Sequence, residues 1–250
     1  MSEWYDGYEY RPLVFEDRQA GIVFPKEIRE GRWAIYTEYF GAFPNAAKML
    51  LEKGYCVARF ENRSRWGTDE DQAARERFAA MLEREYGLAH KCVPIGMSCG
   101  GLHAVRFAAH CPDRVAALYL DAPVINLLSC PLHYGDGERD EGMAQECLKA
   151  LNKTETEMLS YRKHALDDIP ALVKAKIPVV MVYGGSDPVV PYHENGLLLE
   201  QAYRAAGLPI RLFGKPECAH HPHGLSDPTP IVEAIMRFDG SIKEEKTEGE

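Results

Sequence analysis

Residues 93–101 read Val-Pro-Ile-Gly-Met-Ser-Cys-Gly-Gly, an apolar run that ends in the pattern Gly-x-Ser-x-Gly. Leu102, Val105, Phe107 and Ala108 follow at helical spacing. The spacing predicts a strand, a sharp turn and a helix, with Ser98 at the turn. A serine between small neighbours in that context has its Oγ pushed clear of the main chain, where it can act as a nucleophile. The helix behind it adds the partial positive charge of its first turn. The backbone N–H of Cys99 is then free to face a developing oxyanion. Pro94 cannot donate a ladder hydrogen bond, so it belongs at the first positions of the strand or beside a bulge.

A serine hydroxyl is a weak nucleophile at neutral pH and needs a base in contact, itself oriented by a third group. In an open parallel sheet, reactive groups collect at the carboxyl ends of the strands. The third group is expected at Asp187, in Val182-Tyr183-Gly184-Gly185-Ser186-Asp187-Pro188, where an apolar strand runs into a glycine-rich turn stiffened by proline. Asp121 also ends a strand and is the second choice, because Ala122 and Pro123 after it read as structural. The base is expected in Pro216-Glu217-Cys218-Ala219-His220-His221-Pro222-His223. Histidine clusters also bind metals. Adjacent histidines are expected to point apart, and no neighbouring Cys/His/Asp set completes a tetrahedral site, so no metal is expected. His220 is the expected base, with His221 the runner-up and His223 capping or orienting the loop. The chain order is therefore Ser98, Asp187, His220.

The elements that must hold these groups alternate. Strands are predicted at 11–16, 21–24, 33–39, 55–60, 93–97, 116–120, 177–183 and 210–213. Helices are predicted at 46–53, 69–86 with Thr68 as N-cap, after Ser98, at 195–206 and at 230–238. Residues 1–10 read as a loose aromatic arm. Residues 124–169 break the alternation with two predicted helices, 141–151 and 155–164, and read as a lid-like insertion after the sixth strand. His133 and Tyr134 within it are lid-lining candidates. Such alternation implies an α/β fold, a mostly parallel central sheet covered by helices on both faces. One domain is expected over 1–240, with a charged, disordered tail over 241–250.

Composition bounds the function. The chain has 250 residues, 46% hydrophobic and 27% charged, with a formal net charge of −9. That charge opposes a nucleic-acid partner, whose phosphates would repel it. No apolar run approaches the ~20 residues of a membrane span. The acidic, aromatic N-terminus does not read as a secretory signal. Seven scattered cysteines lack Cys-x-x-Cys spacing, which points to reduced thiols in a cytoplasm rather than a disulfide framework. The oligomeric state is left open.

The order nucleophile, acid, histidine is the one associated with α/β-hydrolases, and the chain resembles that superfamily over roughly residues 12–238. More narrowly, Arg65-Trp66-Gly67, Gly96-Met97-Ser98-Cys99-Gly100-Gly101, Leu118-Tyr119-Leu120-Asp121-Ala122-Pro123-Val124 and His220-His221-Pro222-His223 resemble a set of bacterial esterase-like serine hydrolases. The resemblance implies an α/β-hydrolase fold, a Ser98–His220–Asp187 triad and no cofactor. Many superfamily members carry His-Gly after the third strand, where the second oxyanion donor arises. This chain has Thr37-Glu38-Tyr39-Phe40-Gly41 there, so the donor falls to Tyr39 or Phe40 through the backbone. Arg65, Trp66 and His133 are the expected substrate-binding residues; a stacked Trp with a nearby Arg would suit a sugar ring or an acidic substrate, the alternative for Arg65 being a surface pair with a Glu. The expected activity is cleavage of small carboxylic esters, including acyl groups on carbohydrates. The alternatives are a peptidase, thioesterase or lactonase on the same fold, or a catalytically silent binding protein.

Overall fold

A computed structural model gives the fold, with residues 3–242 described. The elements in chain order are β1 (Glu9–Phe15), β2 (Arg18–Phe24), β3 (Trp33–Tyr36), α1 (Asn45–Glu52), β4 (Cys56–Phe60), α2 (Asp69–Tyr86), β5 (Val93–Met97) and α3 (Cys99–His110). They continue with β6 (Leu118–Asp121), α4 (Glu141–Leu151), α5 (Glu155–Met158), α6 (Ala165–Ala175), β7 (Val179–Gly184), α7 (Gly196–Ala205), β8 (Ile210–Lys215) and α8 (Thr229–Phe238). The eight strands form one mixed sheet in the order β1-β2-β4-β3-β5-β6-β7-β8. β1, β2 and β4 pair antiparallel, and every pairing from β4 through β8 is parallel.

Two apolar layers follow from side-chain alternation along the strands. Val57, Ile95, Val180 and Val182 face a layer closed by Ala47, Leu50 and Leu51 of α1 and Ile231 and Ile235 of α8. Ala58, Leu118, Leu120, Val179 and Met181 face the opposite layer, closed by Phe78 and Leu82 of α2, Leu102 and Val105 of α3, Leu172 of α6 and Leu199 of α7. Helices therefore cover both faces. α2 shows how local sequence sets an element. The Thr68 side chain caps it by accepting from the Asp71 N–H, three acidic residues occupy its first turn, and left-handed Gly87 ends it. Pro94 is the second residue of β5.

Four expectations change. The aromatic arm is not loose: Trp4 packs edge-on to Phe40 at 5.3 Å, Tyr5 stacks on Tyr10 at 4.8 Å, and Tyr10 lies within β1. The third strand stops at Tyr36 rather than Tyr39. The helix expected over 155–164 is the single turn α5, and a helix missed from sequence, α6, begins at Ala165. α6 runs through Pro170, which forfeits one intrahelical bond. It forms because Ile169 and Leu172 are buried in the sheet's outer layer, so tertiary packing overrides the break. The expected 124–169 insertion thus ends inside a helix that covers the sheet. Finally, Ser241 and Ile242 remain attached, through Ser241 N–H to Asp239 Oδ1 at 2.9 Å and Ile242 N–H to the Met236 carbonyl at 3.0 Å. The rest of the expected tail, 243–250, lies outside the described residues.

Candidate active site

The nucleophile candidate is placed by backbone geometry. Ser98 joins β5 to α3 with φ 50° and ψ −122°, a conformation L-residues avoid. Two close approaches make the turn possible. A Cβ on Gly96 would lie 2.7 Å from Ala104 Cβ, and one on Gly101 would lie 2.3 Å from Pro123 Cβ. The strained residue is held on both sides: its N–H donates to the Asp121 carbonyl at 3.0 Å, and its carbonyl accepts from Gly101 and Val124 at 2.8 and 3.0 Å.

The other two groups come from the next loops along the sheet. His220 Nε2 lies 3.0 Å from Ser98 Oγ, and His220 Nδ1 lies 2.7 Å from Asp187 Oδ2. Asp187 Oδ1 accepts from the Val189 and Val190 N–H groups, each at 2.9 Å, which fixes the carboxylate plane. The two loops are tied together by Ser186 N–H to the Cys218 carbonyl at 3.1 Å and Gly185 N–H to the Lys215 carbonyl at 3.0 Å. Asp187 and His220 are both buried, and Ser98 is half-buried. The result is an unbroken line from carboxylate to imidazole to hydroxyl, at the carboxyl ends of β5, β7 and β8.

No profile of a known protein family matches the sequence, and no curated protein matches it. Solved structures do match. The chain superposes on uncomplexed Pyrococcus horikoshii acylaminoacyl peptidase with a TM-score of 0.69 at 14% identity, covering 97% of this chain and 43% of that one. For Porphyromonas gingivalis dipeptidyl peptidase 4 the TM-score is 0.67 at 17% identity, covering 94% and 35%. For a puromycin hydrolase it is 0.66 at 19% identity, covering 91% and 37%.

The chain has the α/β-hydrolase fold. It spans less than half the length of each of these neighbours.

On this α/β-hydrolase sheet the remaining expected residues fall in different places. The Cys99 N–H begins α3 directly after Ser98. Burial pushes the Cys99 thiol up, which keeps it protonated beside the hydroxyl. Tyr39 takes φ 54° in the loop after β3, and burial, beside the Cys99 thiol and Arg65, pushes its phenol up. Phe40 sits in the aromatic cluster with Trp4, Tyr10 and Tyr36, so its side chain anchors the loop. Arg65 reaches the same corner and pairs with Glu146 of α4, Nε to Oε1 at 2.9 Å. That pair joins the insertion to the loop after β4. Trp66 is corrected: it is 1% exposed and packs in the sheet's outer layer beneath Arg65, so its face is not free to stack on a ligand. His133 is buried beside Gly137, and neither ring nitrogen has a hydrogen-bond partner among the described residues. Burial pulls its pKa down, which favours the neutral ring.

Several groups or pairings escaped the sequence reading. Asn195 is buried and its Oδ1 accepts from Ile125 and Asn126, both at 3.0 Å, pinning the start of the insertion. Asn62 Nδ2 donates to the Thr37 carbonyl at 2.6 Å, and buried Arg75 bonds Asn62 in turn, bracing the end of β3 beside Tyr39. His223 Nδ1 meets Asp121 Oδ1 at 2.8 Å, and the Gly224 N–H donates to the same carboxylate. The expectation that adjacent histidines diverge fails. The His220, His221 and His223 rings lie edge to face, with centres 4.9–5.0 Å apart. No sequence signal marked the Asn195, Asn62–Arg75 and Asp121–His223 pairings, since each joins residues 13 or more positions apart, such as the 102 between His223 and Asp121.

Among the described residues, no helix is long and apolar enough to cross a membrane. All seven cysteines are free.

Proposed function

We propose that the protein is a serine hydrolase that cleaves small carboxylic esters through an acyl-enzyme. The observation that carries this reading is the line Asp187–His220–Ser98, with contacts of 2.7 and 3.0 Å. Ser98 Oγ attacks the acyl carbon while His220 Nε2 accepts its proton. Asp187 holds the Nδ1–H tautomer and stabilises the imidazolium that forms. The oxyanion is bound by the Cys99 N–H and by a donor from Tyr39 or Phe40, each such donor being worth about 3 kcal/mol. His220 then protonates the leaving alcohol. Water, deprotonated by the same imidazole, releases the acid and restores Ser98. No step calls for a metal or cofactor.

Arg65, beside Tyr39 and Cys99, favours a substrate with an anionic or polyhydroxylated leaving part. A sugar ring would have to be held by Arg65 and the insertion rather than by Trp66. His133 is a lining residue of the insertion in this reading. Seven free thiols suit a reducing compartment such as the cytoplasm. Residues 1–240 act as one catalytic domain in this reading, with the insertion over 124–169 governing access.

A second reading is an aminoacyl or peptide hydrolase. It is favoured by the names of the structural neighbours, a dipeptidyl peptidase, an acylaminoacyl peptidase and a puromycin hydrolase. A panel of acetyl and longer acyl esters, acyl thioesters and aminoacyl amides, compared by kcat/KM, separates the two. Higher kcat/KM on esters of small acids supports the first reading, and higher kcat/KM on aminoacyl amides replaces it with the second. Silence on every member, with no serine labelled by a fluorophosphonate, contradicts both.

A further inference from the structure

We propose that His220, His221 and His223 form a site for a borderline transition-metal dication, with Zn2+ the best match, and that metal bound there switches off Ser98. One ring nitrogen from each residue lies within 4.8 Å of the others. The rings are mutually steep, with interplanar angles of 65°, 80° and 89° and centres 4.9, 5.0 and 4.9 Å apart. Zinc binds imidazole at ~2.0–2.1 Å, and the ring centre lies about 1.1 Å beyond the nitrogen, so tetrahedral ligation sets ring centres about 5 Å apart. Closing the nitrogens to zinc distance moves each by less than about 1 Å.

The surroundings match a ligand set. The Nδ1 atoms of His220 and His223 each lie against a buried carboxylate, Asp187 at 2.7 Å and Asp121 at 2.8 Å. Metal-binding histidines are held the same way, which fixes the tautomer, aims the Nε2 lone pair and raises its basicity. Two carboxylates behind the cluster also favour a cation. His221 is exposed at the rim and gives a route in from solvent. Its ring is steadied by Phe43, stacked at 5.5 Å and 13°. Three neutral nitrogen donors suit zinc or copper and do not suit Mg2+ or Ca2+, which take oxygen ligands.

The consequence for hydrolysis is direct. The His220 Nε2 lone pair that accepts the Ser98 proton is the one a metal would occupy. Coordination breaks that hydrogen bond and leaves Ser98 without a base. No covalent bond is made or broken, so a chelator restores activity. The switch rests on the serine hydrolase reading, whereas metal binding does not.

The test uses the full chain and Co2+ as a spectroscopic probe, followed by Zn2+ inhibition of an activated acetyl ester. Tetrahedral d–d bands are expected without a thiolate charge-transfer band, which separates this site from the cysteines. His221→Ala, checked for folding by circular dichroism, should weaken Co2+ binding by at least about tenfold. It should raise the Zn2+ concentration for half-inhibition, relative to its own uninhibited rate, by a similar factor. Mg2+ should have no effect. Absence of the d–d bands, a thiolate band, or binding unchanged in His221→Ala overturns the site. Metal binding that follows His221 while hydrolysis continues overturns the switch. A protein that hydrolyses nothing contradicts the hydrolase reading, and the cobalt spectrum still decides the site.

Discussion

Among the described residues are two buried carboxylate–imidazole pairs of nearly equal geometry, Asp187–His220 at 2.7 Å and Asp121–His223 at 2.8 Å. Both histidines belong to one loop after β8, and both carboxylates follow or end neighbouring strands. They differ in what the far side of the imidazole meets. His220 Nε2 meets Ser98 Oγ, so a proton can move along the line. Asp121 is held differently. It binds His223 and the Gly224 N–H through its side chain, and its carbonyl accepts from the Ser98 N–H. That pair fastens the histidine loop to the strand end beneath the nucleophile. In the proposed mechanism the same two residue types thus make a proton relay in one place and an anchor in the other, and the third partner alone separates them.

The comparison can be broken by substitution. His220→Ala removes the base and should lower kcat by on the order of 10^4–10^6-fold on an activated ester, with folding retained by circular dichroism. Asp187→Asn leaves the imidazole in place with the wrong tautomer favoured and should cost about 10^4-fold in kcat, with KM little changed. Asp121→Asn should act on stability first. A buried acceptor set for three donors, His223, the Gly224 N–H and the Tyr119 hydroxyl, is disturbed, so a loss of about 1–3 kcal/mol in urea unfolding is expected, with a far smaller fall in kcat than for Asp187→Asn. An Asp121→Asn variant as inactive as Asp187→Asn at full stability would mean that the roles of the two pairs are misassigned. The smallest effect is expected from Arg65→Ala. Its ion pair with Glu146 is partly exposed and worth at most about 1 kcal/mol, so stability should barely change. KM for anionic esters should rise while KM for a neutral acetyl ester stays constant.

The two pairs also mark where the sequence was legible. Ser98 could be read because its signal is local: β5, the Gly-rich turn and the apolar face of α3 lie within one stretch of chain. Asp187 and His220 were expected from the rule that reactive groups gather at strand ends, and in the structure their side chains lie 2.7 Å apart. Asp121–His223 could not be read, because nothing near either residue reports a partner 102 positions away. Trp66 misled for a related reason: its loop position was visible, but the burial that removes its face from solvent comes from contacts outside the loop, with Leu102 and Val105 of α3 in the same apolar layer. α6 was hidden by Pro170, whose local cost is offset by the burial of Ile169 and Leu172.

The most direct test of the relay is fluorophosphonate labelling of the full chain, mapped by peptide mass spectrometry. The wild-type protein should carry label on Ser98 and on no other serine. Labelling should be abolished in Ser98→Ala, slowed at least about 100-fold in His220→Ala, and kept near the wild-type rate in His223→Ala. Label on Ser129 or Ser186 with Ser98 untouched, or equal labelling rates in the two histidine variants, would contradict the assignment of Ser98 and His220.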